Sequence, residues 1–278
     1  MKVKLWGARG GISIPRPQTR RYGVNTLCVQ VESSGSSTLI LDGGIGLNGL
    51  GNALFAGAFG RGQGQAHLLF SHTHWSHIQG VPFCLPLLIP GNAFGLFGRG
   101  GARSMRALLL EQMQPTFCPV PNFFYDHIGA QVDVCDLDEK QPLQLGEFQV
   151  EHAEVGHSHG GPCTAYRISD GHATLAYLPV VDYRDEASRE RAAALCRGAD
   201  LLIHDAYHSD DEYPARQHSG HSCPLHAADV ASRADAKHLI LFNHHPMRTD
   251  DELDAAVSAL SDRPMPIEAG CEGNEYSL

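Results

Sequence analysis

The stretch Ser71-His72-Thr73-His74-Trp75-Ser76-His77-Ile78-Gln79-Gly80 places three histidines within six residues. An apolar run, Ala66-His67-Leu68-Leu69-Phe70, precedes it, and Gly80-Val81-Pro82 breaks the chain after it. A buried strand that delivers a polar loop at its end has this pattern. His72 and His74 alternate, so extended backbone points both imidazoles the same way, as two ligands of one metal require. His77 follows about one helical turn on and could face the same ion or a second one. A histidine-rich surface loop would account for the number of histidines but for neither the spacing nor the strand-loop context.

Working outward, the chain has 278 residues, 42% of them hydrophobic, enough to bury a substantial core in one large α/β domain or two small ones. A net charge of −10 argues against a surface built to grip nucleic acid. No apolar run approaches the ~20 residues of a membrane span. Met1-Lys2-Val3-Lys4-Leu5-Trp6-Gly7 enters a strand pattern directly, without the marks of a signal peptide. The eight cysteines are scattered with no Cys-x-x-Cys pair, as in a reduced, cytoplasmic protein. Seventeen histidines exceed ordinary surface use. They gather at 72/74/77, 157/159, 218/221 and 244/245.

Each of these clusters follows or approaches an expected strand end. The alternation predicts strands over 2–6, 26–32, 38–41, 131–136, 148–154, 164–168, 173–178, 201–205 and 238–242. Helices are expected over 49–59, 104–114, 185–196, 224–234 and 249–260. Residues 81–100 read as a strand or two around a loop that walls a pocket. Asp42-Gly43-Gly44 closes the third strand, with Asp42 either beside a site or in an ordinary turn. Strands precede helices in both halves, which suggests two packed sheets flanked by helices. Arg9 reads as a phosphate contact or as a tie for its glycine-rich loop. Trp75 reads as a packing residue, His152 as half-buried, and Asp210-Asp211-Glu212 as a solvated acidic turn. Cys163 reads as a buried, inert thiol near the site. Asp205, between His204 and His208, is a candidate to support a ligand histidine.

The motif 72–80, together with Trp6-Gly7-Ala8-Arg9-Gly10, Tyr22-Gly23-Val24-Asn25-Thr26, Leu41-Asp42-Gly43-Gly44, Pro90-Gly91-Asn92, His159-Gly160-Gly161, Gly220-His221-Ser222 and His244-His245-Pro246, resembles the metallo-β-lactamase fold superfamily. More narrowly, it resembles the branch of ribonuclease Z-like and cyclic-nucleotide phosphodiesterase-like metallohydrolases. The resemblance runs through nearly the whole chain in order. It implies one metallo-β-lactamase-like domain over 1–278, a four-layer αβ/βα sandwich with its metals at one edge of the sheets.

Carried over residue by residue, it implies His72, His74 and His159 as ligands of the first ion. His77 and His244 match the second site, with the register between His244 and His245 open. His221 matches a histidine that donates a proton to a leaving group. The family's motif aspartate is Ser76 here. Its bridging aspartate aligns with Val180, unless a shift of two residues brings in Asp182. Two cations ~3.5–4 Å apart repel, and carboxylate ligands offset that repulsion. A hydroxyl and an alkyl group do not, and serine is a poor zinc ligand. One good site and one damaged site are therefore expected, holding one zinc, with manganese or iron as the alternatives.

The resulting expectation is a metal-dependent hydrolase of a small phosphodiester or related ester, working with one metal or with ligands recruited from Asp182, His157 or His221. The alternatives are a catalytically inactive family member with a binding or regulatory role, and metal storage or redox chemistry. The substrate is expected to be a small anionic molecule. A tRNA is not expected, because residues 81–130 hold only Arg99, Arg103 and Arg106 in place of a basic arm. No membrane partner is expected, and a homodimer is open.

Overall fold

The computed structural model describes residues 1–120, 129–138, 141–158, 161–183, 185–217 and 219–278, with 157 and 158 described by backbone alone. The first half of the chain forms β1 (Lys2–Gly7), β2 (Cys28–Glu32), β3 (Thr38–Leu41), β4 (Gln65–Leu69), β5 (Ala93–Gly98) and β6 (Gln131–Asp136), with α1 (Gly46–Phe55), α2 (Trp75–Ile78) and α3 (Met105–Gln112). The second half forms β7 (Leu143–Leu145), β8 (Phe148–Ser158), β9 (Gly161–Ser169), β10 (Thr174–Leu178), β11 (Leu201–Asp205), β12 (Leu239–Phe242), β13 (Ile267–Ala269) and β14 (Glu275–Ser277). Its helices are α4 (Glu186–Leu195), α5 (Pro224–Arg233) and α6 (Asp250–Ser258).

Two seven-stranded sheets result, ordered β14-β1-β2-β3-β4-β5-β6 and β13-β12-β11-β10-β9-β8-β7. The chain's last strand therefore returns to close the first sheet, pairing antiparallel with β1. In each sheet the middle is parallel: β3 to β6 in one, β10 to β13 in the other. Strands buried on both faces lose polar alternation and become continuous apolar runs. β3 sends Leu39 and Leu41 between the sheets and Ile40 toward the helical face. In β12, Ile240 and Phe242 face the other sheet, while Leu239 and Leu241 face the helices. Full burial of one such side chain contributes about 1.5–3 kcal/mol, so Phe242→Ala would open the inter-sheet core beside the site. Backbone and side chain also bind the layers: Thr164 N donates to Ser71 O at 2.8 Å, and Tyr166 OH to Phe70 O at 2.7 Å.

Two packed sheets with helices outside agree with the expected α/β sandwich. The differences are local. Residues 81–100 hold one strand, β5; Val81–Phe83 and Leu85–Leu88 are single 3-10 turns, because Pro82 and Pro86 favour turn starts over ladder pairing. The edge strands β7, β13 and β14 are three residues each, too short for periodicity to reveal. Asp185 and Thr249 cap α4 and α6 with reciprocal capping boxes, which fixes those helix starts.

Candidate active site

Parallel strands in both sheets end at the same edge, where a doubly covered sheet exposes backbone to ligands. β3 delivers Asp42, β4 delivers Ser71 and His72, β11 delivers Asp205, and β12 delivers Asn243. Asp42 (φ +58°) and Asn243 (φ +59°) both adopt left-handed backbone. Short polar side chains tolerate that region because they hydrogen-bond locally. The turn throws each side chain sideways into the site.

Asp42 is fully buried and saturated. Its Oδ2 accepts from Ser71 Oγ at 2.6 Å and Tyr177 OH at 2.8 Å, and lies 2.9 Å from His77 Nδ1. Its Oδ1 accepts from Ser71 N at 2.8 Å. This carboxylate therefore fixes His77 with Nδ1 protonated and Nε2 bare, and it does not itself face a ligand. Burial, then Asp42, pushes the Tyr177 hydroxyl well above its usual value, so it stays a donor. His72 is held likewise: its Nδ1 lies 3.2 Å from Pro162 O, with Cys163 Sγ behind it at 3.8 Å. Burial, with His77 and His74 as lesser causes, pushes His72 down to about 3, so it is a neutral imidazole near pH 7. The His72 and His74 ring centroids are 4.1 Å apart, and those of His72 and His77 5.8 Å apart. The three expected histidines are thus neighbours. His74 is on the exposed side of the cluster, whereas His72 and His77 are buried.

The second sheet contributes a different group. Asp205, fully buried, accepts at Oδ2 from Ser222 N at 3.0 Å and Val181 N at 3.3 Å, with His221 Nδ1 at 3.1 Å. Tyr207 stacks on His221 with centroids 4.3 Å apart and 13° between planes. Asn243 Nδ2 donates to Pro179 O at 2.8 Å and to Asp205 Oδ1 at 3.3 Å, and lies 3.4 Å from His221 Nδ1. Asp205 was expected to support a ligand histidine; the histidine it holds is His221, the residue that the resemblance implies as a proton donor. Among the causes that hold His72 down, His221 is the least, which sets the two groups within electrostatic reach of each other.

Other expected residues fall as follows. His244 is buried but turns away: its Nε2 lies 3.1 Å from Gly270 O and its ring meets Tyr22 edge-on at 6.3 Å. The resemblance implied His244 for the second site with its register against His245 open; here Asn243, in left-handed backbone, is the residue that reaches His221. His245 sits edge-on to Tyr207, centroids 4.9 Å apart. His159 and His218 lie outside the described residues, as does the side chain of His157. Among the described residues, no three His, Cys, Asp or Glu side chains converge as a ready-made metal cage. Ser76 and Val180 are both buried at the edge. Asp182 is 3% exposed, and among the described residues neither carboxylate oxygen has a hydrogen-bond partner.

Two readings are corrected, Trp75 and the acidic turn, and of the two readings of Arg9 the tie holds. Trp75 is 69% exposed, because as the first residue of the four-residue α2 it faces outward. Arg9 is a tie: fully buried, it donates from Nε to Gly23 O at 2.7 Å and from Nη1 to Arg248 O at 2.7 Å, and pairs with Asp250. The acidic turn is not simply solvated, since Asp210 accepts from Leu225 N at 2.9 Å and Glu212 pairs with Arg248 at 2.5 Å. Sequence reasoning missed Tyr177, Tyr207 and Asn243. Only Asn243 carried a signal, as an asparagine straight after an apolar strand.

The ion that such a loop implies must find its donors at these strand ends. It fits at the first sheet, where His72 and His77 are each held through Nδ1 so that Nε2 is presented. At the second sheet, His221 Nδ1 is taken by Asp205, and the ring is otherwise met by the Asn243 amide, the Tyr207 ring and His208, whose Nε2 is taken by Ser219 Oγ; amide and phenol are not usual zinc ligands.

A family model described as a beta-lactamase superfamily domain matches residues 41–245. Ribonuclease Z of Brevibacillus brevis is 28% identical over 133 residues, covering 42% of this chain and 42% of that enzyme. Ribonuclease Z of Haloferax volcanii is 25% identical over 224 residues, 66% of this chain and 69% of its own length. Among solved structures, the metallo-beta-lactamase fold protein YhfI from Bacillus subtilis superimposes with a TM-score of 0.71 at 21% identity, covering 99% of this chain and 98% of its own. A diphosphatase from the PhnP family gives 0.67 at 18% identity, covering 100% and 97%. The Zn(2+)-bound PqqB from Methylobacterium extorquens gives 0.69 at 14% identity, covering 100% of both chains. With the family match spanning both groups of strand ends, the chain belongs to the beta-lactamase superfamily.

Proposed function

We propose that the chain is a metal-dependent hydrolase of a small phosphodiester or related ester, working with one ion. The observation that carries this reading is the pairing of two held groups at one sheet edge: His72 and His77 fixed through Nδ1, and His221 fixed by Asp205. His72, His74 and His77, with His159 as the fourth candidate from the sequence, would hold the ion. A zinc, manganese or iron ion there supplies Lewis acidity for the hydrolysis. The protein's own steps follow from its hydrogen bonds. Asp205 holds His221 through Nδ1 and orients the ring, so Nε2 is the atom that would pass a proton to the leaving oxygen. Tyr207 covers one face of that ring and keeps it in place. Asp42 keeps His77 in one tautomer through turnover. Asp182, a buried carboxylate without a donor, is suited to face a cation; a buried charge is costly unless paired.

The phosphodiester preference draws support from the ribonuclease Z relatives. A small substrate, not tRNA, agrees with the net charge of −10. One observation favours a second reading, a family member that binds without catalysis: Ser76 and Val180 stand where the resemblance implies carboxylate ligands. The experiment assays zinc- and manganese-loaded protein on bis-p-nitrophenyl phosphate, a lactone and a thioester. Turnover of the diester, lost by at least ~10³-fold in His72→Ala, is expected. No turnover by the loaded protein, with turnover restored by Ser76→Asp plus Val180→Asp, would establish the second reading instead.

A further inference from the structure

Three aromatic rings meet at the second sheet edge, and each keeps one polar atom unspent. Tyr207 is the middle one: His221 stacks on its face with centroids 4.3 Å apart, and His245 meets its edge at 4.9 Å. His221 uses Nδ1 on Asp205. His245 Nδ1 accepts from Met247 N at 3.2 Å, so in the neutral ring Nε2 is the nitrogen that carries the proton. The Tyr207 hydroxyl has no hydrogen-bond partner among the described residues. Burial, then Asp205, pushes that hydroxyl up, so it keeps its proton. Left over are His221 Nε2, His245 Nε2 and Tyr207 OH. None of the three is a buried atom, unlike the partnerless oxygens of Asp182.

The rings are held before any ligand arrives. Tyr207 N donates to Asp205 Oδ1 at 3.2 Å. A side chain at Gly10 would come within 2.9 Å of Tyr207 Cε2, and one at Gly11 within 4.0 Å of its hydroxyl, so bare backbone packs along this ring. His245 O accepts from Arg248 N at 2.9 Å and from Arg9 Nη1 at 3.3 Å. The buried Arg9 tie therefore also sets the place of His245. The carboxylates that act on His245, Glu212 and Glu252, both pair with Arg248. What remains is a pair of fixed donors, His245 Nε2 and Tyr207 OH. Beside them stands His221, within electrostatic reach of His72. Donors arranged in advance stabilise an anionic oxygen without having to reorganise.

We propose that Tyr207 OH and His245 Nε2 bind an anionic oxygen of the substrate, and so offset the charge that a second cation offsets in a two-metal centre. The need for them arises from this chain's own residues. Ser76 and Val180 stand where the resemblance implies carboxylates, so a second cation lacks its anionic ligands. Two neutral donors take the oxygen without such ligands. His221, stacked on Tyr207, keeps its Nε2 for the leaving oxygen. The class of anion, a phosphodiester, rests on the hydrolase reading; the role of the two donors is read by binding.

The test is calorimetric titration of the zinc-loaded chain with diphenylphosphinate, an anion with the phosphodiester's two charged oxygens and no bond to hydrolyse, and with neutral methyldiphenylphosphine oxide. The expected result is saturable binding of the phosphinate at one site, with the oxide at least ~10-fold weaker. Tyr207→Phe keeps the stack on His221 and removes only the hydroxyl; His245→Phe keeps a ring and removes the N–H. Each should weaken the phosphinate at least ~10-fold and keep its zinc. His245→Gln, which restores an N–H at similar reach, should recover most of the affinity, as a merely structural role would not. Thermal unfolding establishes that the variants are folded. Binding unchanged in both folded variants, zinc lost from His245→Phe, or no saturable phosphinate binding by the parent would each overturn the proposal. Phosphinate binding that depends on both residues in a chain that turns over no diester supports it and overturns the hydrolase reading instead.

Discussion

The two strand ends at the site edge, Asp42 after β3 and Asn243 after β12, are built alike and do different things. Each follows an apolar strand and each takes left-handed backbone. Each reaches the histidine nearest it, His77 in one case and His221 in the other. Asp42 is a carboxylate with four donors around it, and it leaves His77 one fixed tautomer with Nε2 bare. Asn243 is neutral and shares Asp205 with His221, in a group tied to backbone and to an aromatic face. The first sheet edge is chemically suited to a cation. The second holds one imidazole in a fixed orientation, through Nδ1 and a stacked ring. The difference teaches that similar backbone geometry at two sheet edges does not imply two similar ion sites, because the side chain on the turn decides.

The sharpest way to break that comparison is to remove His221. His221→Ala should lower turnover of a poor leaving group by about 10²–10⁴-fold, the usual span of a general acid, and should spare metal content. A p-nitrophenolate leaving group needs no proton, so the loss should shrink with it. Equal losses for both leaving groups would take the proton-donor role from His221. Next in size is Asp42→Asn. An amide cannot accept the same three protons at one oxygen, so the His77 tautomer is released. Support residues of this kind typically alter metal affinity 10–100-fold, and competition against a chelator should read a weakening in that range. Unchanged affinity would mean that His77 does not depend on Asp42.

The smallest effect concerns pH. Burial pushes His204 down to about 4, with Tyr183 OH 2.6 Å from its Nε2. The unfolded chain takes up that proton near 6.5 and the folded chain near 4. Unfolding therefore becomes easier as pH falls from 6.5 toward 4, by about 1.4 kcal/mol per pH unit for this proton. His244, pushed down to about 3 chiefly by burial, acts in the same direction. Urea denaturation of chelated protein at pH 7.5 and 5.5 should show the lower midpoint at pH 5.5. Equal midpoints would mean that these rings are protonated without loss.

Much of this was legible in the sequence. Long apolar strands betrayed themselves by burial on both faces, and the histidine loop by its spacing after β4. The edge strands β7, β13 and β14 were not legible, since three residues carry no period. The His72–His77 group could be read because its members are close in the chain. The His221 group could be read only in part. Asp205 and His221 are sixteen positions apart and meet through a fold, and Tyr207 offers no spacing signal. His244 was implied by the resemblance alone, and the left-handed backbone at Asn243, which sets the direction of the side chains after β12, cannot be read from spacing. The asparagine itself was the available warning.

Metal content per chain tests the central claim most directly. The parent protein, loaded with zinc and desalted, should carry one ion per chain; His72→Ala should carry none and Asn243→Ala should still carry one. Two ions in the parent, or an ion kept by His72→Ala and lost from Asn243→Ala, would contradict the division of labour between the two sheet edges.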